Sequence, residues 1–347
     1  MIKSIALLLM FVIPAPIANS QPALNNQRLA AEVKSEFLHA WNGYKKYAWG
    51  HDDLRPLTKS FHDWYTQPLL MTPVDALDTL ILMGLKDEAD NTRKYILDNL
   101  SFDKNIDVQN FEITIRLLGG LLSSYQLTGD RRLLALAEDL GYRLVPVFES
   151  PTGLPYKFVN LKTGRVRGAE TNPAETGTLL IEFGTLSKLT GKPMFFDKAK
   201  RALVETYNRR SPIGLIGTRL NVETGRWTNT DSHISAEIDS YYEYLMKSWL
   251  LFDDQESTYH LYHYTKDPHY LRMGETLFRD FVTHCKTEAG YAALKSVVTK
   301  EKSDSMQSFL FAETFKYFYL LFAPPTTLAF DKVTFNTEAH PVRKTWK

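Results

Sequence analysis

The chain has a single cysteine, no excess of either charge, few strand signals and, beyond residue 20, no long apolar run. Each scarcity excludes something. With Cys285 alone there is no internal disulfide, so stability rests on packing. With 41 Lys and Arg against 40 Asp and Glu, no net field steers the protein towards a nucleic-acid partner or an anionic membrane. The missing apolar run leaves no internal segment suited to spanning a bilayer. The 9 histidines show no zinc-like spacing.

Hydrophobic residues make up 44% of the 347, and aromatics 13%, enough for a large core and a pocket walled by flat rings. Residues 1–20 run from Met1 and Lys3 through an apolar stretch to Ala18-Asn19-Ser20. That is the pattern of a secretory signal peptide cleaved after Ser20. The expected product is exported and keeps no membrane anchor after cleavage. It would be periplasmic or extracellular in a bacterium, and in the endoplasmic reticulum lumen or secreted in a eukaryote.

Six isolated carboxylates, Asp75, Glu112, Glu175, Asp239, Glu256 and Glu313, each open a segment that is otherwise apolar or aromatic. Such segments read as buried helices, and a carboxylate entering a buried wall must be capped, paired or used chemically. Tyr125 to Asp130, Ser187 to Pro193 and Tyr262 to Pro268 read as helix stops, with Gly129, Gly191 or Pro268 marking the end. More polar helices follow, over Arg131 to Arg143, Phe195 to Tyr207 and Tyr270 to His284. Recurrence of inner helix, tight turn and outer helix predicts an all-α fold, an α/α toroid of helix hairpins. Inner helices pointing the same way would gather their starting carboxylates at one end. Thr72-Pro73-Val74-Asp75 reads as a helix start, with Thr72 as N-cap and Asp75 as a capping acid. Gly153 to Asn160 and Ile213 to Trp227 read as short hairpins between helices.

The rhythm breaks once. An inner-type helix running to Phe252 meets another inner-type segment at Asp253-Asp254-Gln255-Glu256 with no stop and no outer helix between them. A hairpin's worth of chain is missing there, so the ring is expected to be incomplete.

Several blocks, in order along almost the whole chain, carry a resemblance. They include Asp75-Ala76-Leu77-Asp78-Thr79-Leu80, Phe111 to Leu122, Pro151 to Tyr156, Asp239 to Leu245, Phe311-Ala312-Glu313-Thr314 and Phe335-Asn336-Thr337-Glu338-Ala339-His340-Pro341. The chain resembles glycoside hydrolase family 47, the class I α-1,2-mannosidases, and in particular the ER-degradation-enhancing mannosidase-like branch. The resemblance implies a barrel of seven helix pairs and a calcium-dependent, inverting exo-α-1,2-mannosidase domain over residues 28–347. The substrate would be terminal α-1,2-linked mannose of N-glycan or mannan oligosaccharides, or of a glycoprotein carrying them.

Carried over residue by residue, Glu112 matches the acid that protonates the leaving group, and Asp239 the candidate base or water-orienting carboxylate. Arg116, Glu175, Phe309, Glu313 and Glu338 match substrate-binding positions, and Thr337 matches the Ca²⁺ ligand. Glu243, one turn after Asp239, reads only as N-terminal helix charge. At the break, Asp253 stands where the family has a further catalytic glutamate. Two functions follow as expectations: the mannosidase itself, or a mannose- or glycoprotein-binding homologue weakened by loss of that block.

Overall fold

The computed structural model describes residues 25–252, 268–296 and 298–344. The signal-peptide segment, Asp253 and Glu256 lie outside the described residues, as does the expected helix stop at 262–267. Two kinds of helix alternate. The outer helices α1 (Asn26–Tyr47), α3 (Lys86–Asn99), α5 (Arg131–Leu144), α8 (Pro193–Asn208) and α10 (Pro268–Cys285) are amphipathic. In α5, for example, Leu133, Leu134, Ala137, Leu140, Gly141 and Leu144 are buried, a helical period with one dry face.

The inner helices are more deeply buried, although Asp239, Met246 and Tyr317 reach the surface. These helices are α2 (Met71–Leu82), α4, α7 (Leu180–Thr190), α9 (Asp239–Phe252) and α11. Helix α4 runs through Asn110–Ile113, a π-helical turn at Thr114–Leu118, and Gly119–Thr128. Helix α11 opens with a π-helical turn at Leu310–Thr314 and continues through Phe315–Phe322. Every residue of α2 from Met71 to Leu80 is buried. A five-residue helix, α6 (Pro173–Gly177), precedes α7.

The inner helices stand side by side in the order α11, α2, α4, α7 and α9, with each outer helix packed behind them. The all-α toroid is thus formed, with five inner and five outer helices among the described residues rather than the family's seven pairs. The stops fall where expected: Gly129 and Gly191 cap α4 and α7 in the left-handed conformation, at φ 74° and 72°. Aromatic contacts lock α1 to α11, with Phe37 edge-on to Phe311 at 5.2 Å and Trp41 at 5.5 Å.

Short antiparallel strands occupy one end of the ring. They form the hairpin β1 (Asp53–Arg55)–β2 (Ser60–His62) and the sheets β3 (Asp107–Gln109)–β4 (Phe158–Asn160)–β5 (Val166–Arg167) and β6 (Glu170–Thr171)–β7 (Arg219–Asn221)–β8 (Trp227–Asn229). Strand β3 runs directly into α4, and β6 leads through Asn172 into α6. The starts of the inner helices therefore collect at the sheet end. A last hairpin, β9 (Val333–Phe335)–β10 (Pro341–Arg343), thrusts its connecting residues 336–340 into the ring.

One local expectation fails. Asp75 does not cap α2; the helix starts after Leu70 in the left-handed region, with no side-chain cap. Asp52 takes that role, accepting the Leu69 and Met71 amides at 2.7 and 3.2 Å. Asp75 is fully buried and faces Arg116 and His340.

Candidate active site

A cavity of about 480 Å³ opens at the sheet end, lined by Glu112, Arg116, Asp239, Glu243, Glu313, Thr337 and Glu338, among others. Five of those residues are carboxylates, brought from α4, α9, α11 and the C-terminal turn.

Arg116 is their hub. Its Nε donates to Glu112 Oε2 at 3.0 Å, its Nη1 binds Glu338 Oε1, and the same nitrogen lies 3.7 Å from Asp75 Oδ2. The guanidinium stands 5.1 Å from the Trp64 ring and 5.9 Å from the Phe309 ring. It sits inside a π-helical turn, and Glu313 sits in the other. A π turn widens the helix by a residue and re-aims side chains, which is why such turns cluster at functional sites.

Behind Arg116 charges alternate inward. Asp75 lies 3.2 Å from His340 Nε2, His340 Nδ1 lies 2.7 Å from Asp78, and Lys316 Nζ lies 2.8 Å from the other Asp78 oxygen. Burial would raise the Asp78 carboxyl, but Lys316 and His340 outweigh it and bring it down to about 2. Burial likewise works against a charged His340, and the two aspartates overcome it, raising the imidazole above its ordinary value.

The turn 336–340 is gripped from three sides. Asn336 Nδ2 donates to Ile115 O at 2.8 Å and to Glu182 Oε1 at 2.9 Å, while its Oδ1 accepts the Glu338 and His340 amides. Thr337 Oγ1 donates to Glu243 Oε2 at 3.0 Å. The close approach demands glycine on α4: a Cβ at Gly119 would lie 2.4 Å from Asn336 Nδ2. Burial raises the Glu338 carboxyl well above the usual range despite Arg116, and it raises Glu313, which shares a hydrogen bond with Glu338.

Of the residues expected from the sequence, Glu112, Arg116, Asp239, Glu313, Thr337 and Glu338 line one cavity, and Phe309 stands beside it against Arg116. Asp239 is exposed at the first turn of α9. Glu175 is not among the lining residues. It is buried next to α4, bound by Gln109 Nε2 at 2.7 Å, Thr171 Oγ1 at 2.8 Å and Lys157 Nζ at 3.1 Å. Glu243 is more than helix charge, since it lines the cavity and holds Thr337. Lys316, Glu182 and the His340 network were not anticipated; a lysine alone in Phe315-Lys316-Tyr317-Phe318 was the available signal.

Calcium suits this donor set. Thr337 and the surrounding carboxylates offer only oxygen, the preference of a hard cation. Among the described residues, no three His, Cys, Asp or Glu side chains are grouped to hold a metal by themselves. An ion here would complete its shell with main-chain, water or sugar oxygens.

Residues 36–256 and 255–344 match the family model of glycosyl hydrolase family 47. Alpha-mannosidase I MNS5 of Arabidopsis thaliana is 30% identical over 447 positions, covering 92% of this chain and 78% of the relative. ER degradation-enhancing alpha-mannosidase-like protein 2 of Mus musculus is 30% identical over 89% of this chain and 77% of its own length. The solved structure of an alpha-1,2-mannosidase from Trichoderma reesei superposes with a TM-score of 0.84, covering 92% of this chain and 100% of that one at 24% identity, and shares the fold. Since 92% of 347 residues is about 319, roughly 130 of the 447 positions aligned with the Arabidopsis relative are filled only there. The two segments matched to the family model meet at 255–256, where the sequence rhythm breaks. The chain belongs to glycosyl hydrolase family 47, the α-mannosidases, and is a glycoside hydrolase shortened near residues 250–256.

Proposed function

We propose that the protein is a calcium-dependent, inverting exo-α-1,2-mannosidase that removes terminal mannose from N-glycan or mannan oligosaccharides. The observation that carries this reading is the convergence of Glu112, Asp239, Glu313, Glu338 and Thr337 on one cavity around Arg116.

Glu112, held by Arg116 through Oε2, delivers a proton to the departing glycosidic oxygen, directly or through one water. Asp239 orients the attacking water and accepts its proton. Inversion asks that acid and base stand about 6.5–9.5 Å apart with the water between them. Glu313 and Glu338 accept sugar hydroxyls, and Phe309 gives the ring an apolar floor. Thr337 would hold calcium through its hydroxyl and main-chain carbonyl; when bound, the ion supplies positive charge beside the sugar and an anchor for two of its hydroxyls.

The test is hydrolysis of α-1,2-mannobiose with calcium and with chelator, alongside thermal melts. Mannose release should need calcium and fall by about 10²-fold or more in Glu112→Gln and in Asp239→Asn. A second reading, a mannose- or glycoprotein-binding homologue, is supported by the missing stretch and by Asp253 standing where the family has a glutamate. Asp is one methylene shorter, and a misplacement near 1 Å costs about 10²-fold. A calcium-dependent rise in melting temperature with no mannose released would favour that reading.

A further inference from the structure

Four ionisable side chains stand in line behind Arg116, and the proposed reaction uses none of them. Asp75, His340, Asp78 and Lys316 are all wholly buried. Lys316 Nζ lies 2.8 Å from Asp78 Oδ1 and donates to Ala339 O at 2.7 Å. Asp78 Oδ2 accepts the Ser123 hydroxyl at 2.9 Å and faces His340 Nδ1 at 2.7 Å, while His340 Nε2 faces Asp75 Oδ1 at 3.2 Å. An ionised carboxylate only accepts hydrogen bonds, so a ring held between two of them donates from both nitrogens and carries a positive charge. The ring is also confined: a Cβ on Gly120 of α4 would lie 3.2 Å from both Cε1 and Nε2 of His340.

Such a chain is a poor source of stability. Sealing four charges from water costs desolvation that apolar side chains of the same volume would avoid. What sets this one apart is its end. Asp75 Oδ2 accepts no hydrogen bond among the described residues, and it stands 3.7 Å from Arg116 Nη1. The same guanidinium holds Glu112 through Nε and Glu338 through Nη1. The His340 main chain is fixed too, with its amide on Asn336 Oδ1 at 2.8 Å.

Resting on the mannosidase reading, we propose that His340 is a positioning residue of the reaction. Its Nδ1 edge is anchored on Asp78 and Lys316. Its Nε2 edge holds Asp75 with one oxygen turned to Arg116, which steadies the guanidinium that aims Glu112 and Glu338 at the sugar. His340 touches no substrate and acts only through Asp75 and Arg116.

The two edges of the ring can be removed one at a time. The amide nitrogen of glutamine reaches about as far as Nε2, and that of asparagine about as far as Nδ1. His340→Gln therefore keeps Asp75 and loses Asp78, whereas His340→Asn keeps Asp78 and releases Asp75. Each leaves one buried carboxylate without its partner, so both should lower Tm by similar amounts. Only the asparagine variant cuts the link to Arg116. On α-1,2-mannobiose its kcat should fall about ten-fold or more, the effect of one hydrogen bond to a charged group, with KM within about two-fold, while His340→Gln keeps kcat within about three-fold of wild type.

Equal losses of kcat in the two variants, in step with Tm, would reduce His340 to a structural role and overturn the proposal. A ¹⁵N spectrum of the wild type near neutral pH checks the arrangement without a variant: both ring nitrogens should carry a proton, and a neutral ring overturns the proposal even where neither variant folds. If the wild type releases no mannose, the mannosidase reading fails on its own, and calorimetric affinity for mannobiose replaces kcat. A loss of about ten-fold confined to His340→Asn then supports the positioning role, and equal affinities in the two variants, or no binding by the wild type, overturn it.

Discussion

At the residue scale the site is a problem of charge. Arg116 stands against Glu112, Glu338 and Asp75, and two of those three carboxylates are almost wholly buried. Arg116→Met would strand Glu338 and Asp75 without their cation and should cost about 3–5 kcal/mol, measured by denaturant unfolding. Arg116→Lys should cost less, keeping the charge while losing the fork that binds two partners. Thr337→Val is nearly isosteric and removes one oxygen. Calcium should then no longer raise the melting temperature, while melts in chelator stay close to wild type. Much at this scale was legible in the sequence where the partner was near: Glu112 and Arg116 sit one turn apart and pair as their spacing implies. Asp75 was misread because Thr72-Pro73 is a strong local signal, whereas the group that caps the helix, Asp52, lies 19 residues before Met71. Lys316, Asp78 and His340 pair across 262 residues in the case of His340 and Asp78, and no periodicity reveals such a match.

At the scale of elements, the C-terminal hairpin and α4 are fitted to each other. Gly119→Ala puts a methyl 2.4 Å from Asn336 Nδ2. Alanine gains about 1 kcal/mol of helix propensity there, but overpacking of about 1–3 kcal/mol outweighs it. The variant should melt lower and also lose turnover, because moving Asn336 moves Thr337 and Glu338. A melt unchanged from wild type would contradict the fit. The helix stops at Gly129 and Gly191 and the outer helices after them were legible because capping is decided within a turn of chain. The π turns at 114–118 and 310–314 were not, since they answer to tertiary contacts of Arg116 and Glu313 rather than to local preference.

Across the whole molecule, buried ionisable groups tie stability to acidity. Burial pushes the Glu182 carboxyl, bound by Tyr244 and Asn336, up to about 7. The folded state therefore keeps a proton that the unfolded chain releases near pH 4.5. Between those values the folded state binds more protons, so stability should fall as pH rises from about 4.5 to 7, by up to roughly 3 kcal/mol. Melting temperatures in Glu182→Gln should vary less over that window. The toroid was legible from its alternating helices, and so was the place where the ring is short, since both are periodic properties of the chain. What periodicity left out was the turn at 336–340, which closes the floor of the barrel from the far end of the sequence. That turn sets a timetable. His340 meets Asp75 across 265 residues and Glu338 meets Arg116 across 222, so pocket closure carries the high entropic toll of joining distant parts of the chain. On dilution from denaturant, far-ultraviolet ellipticity should return first, and mannose release should follow after a measurable lag.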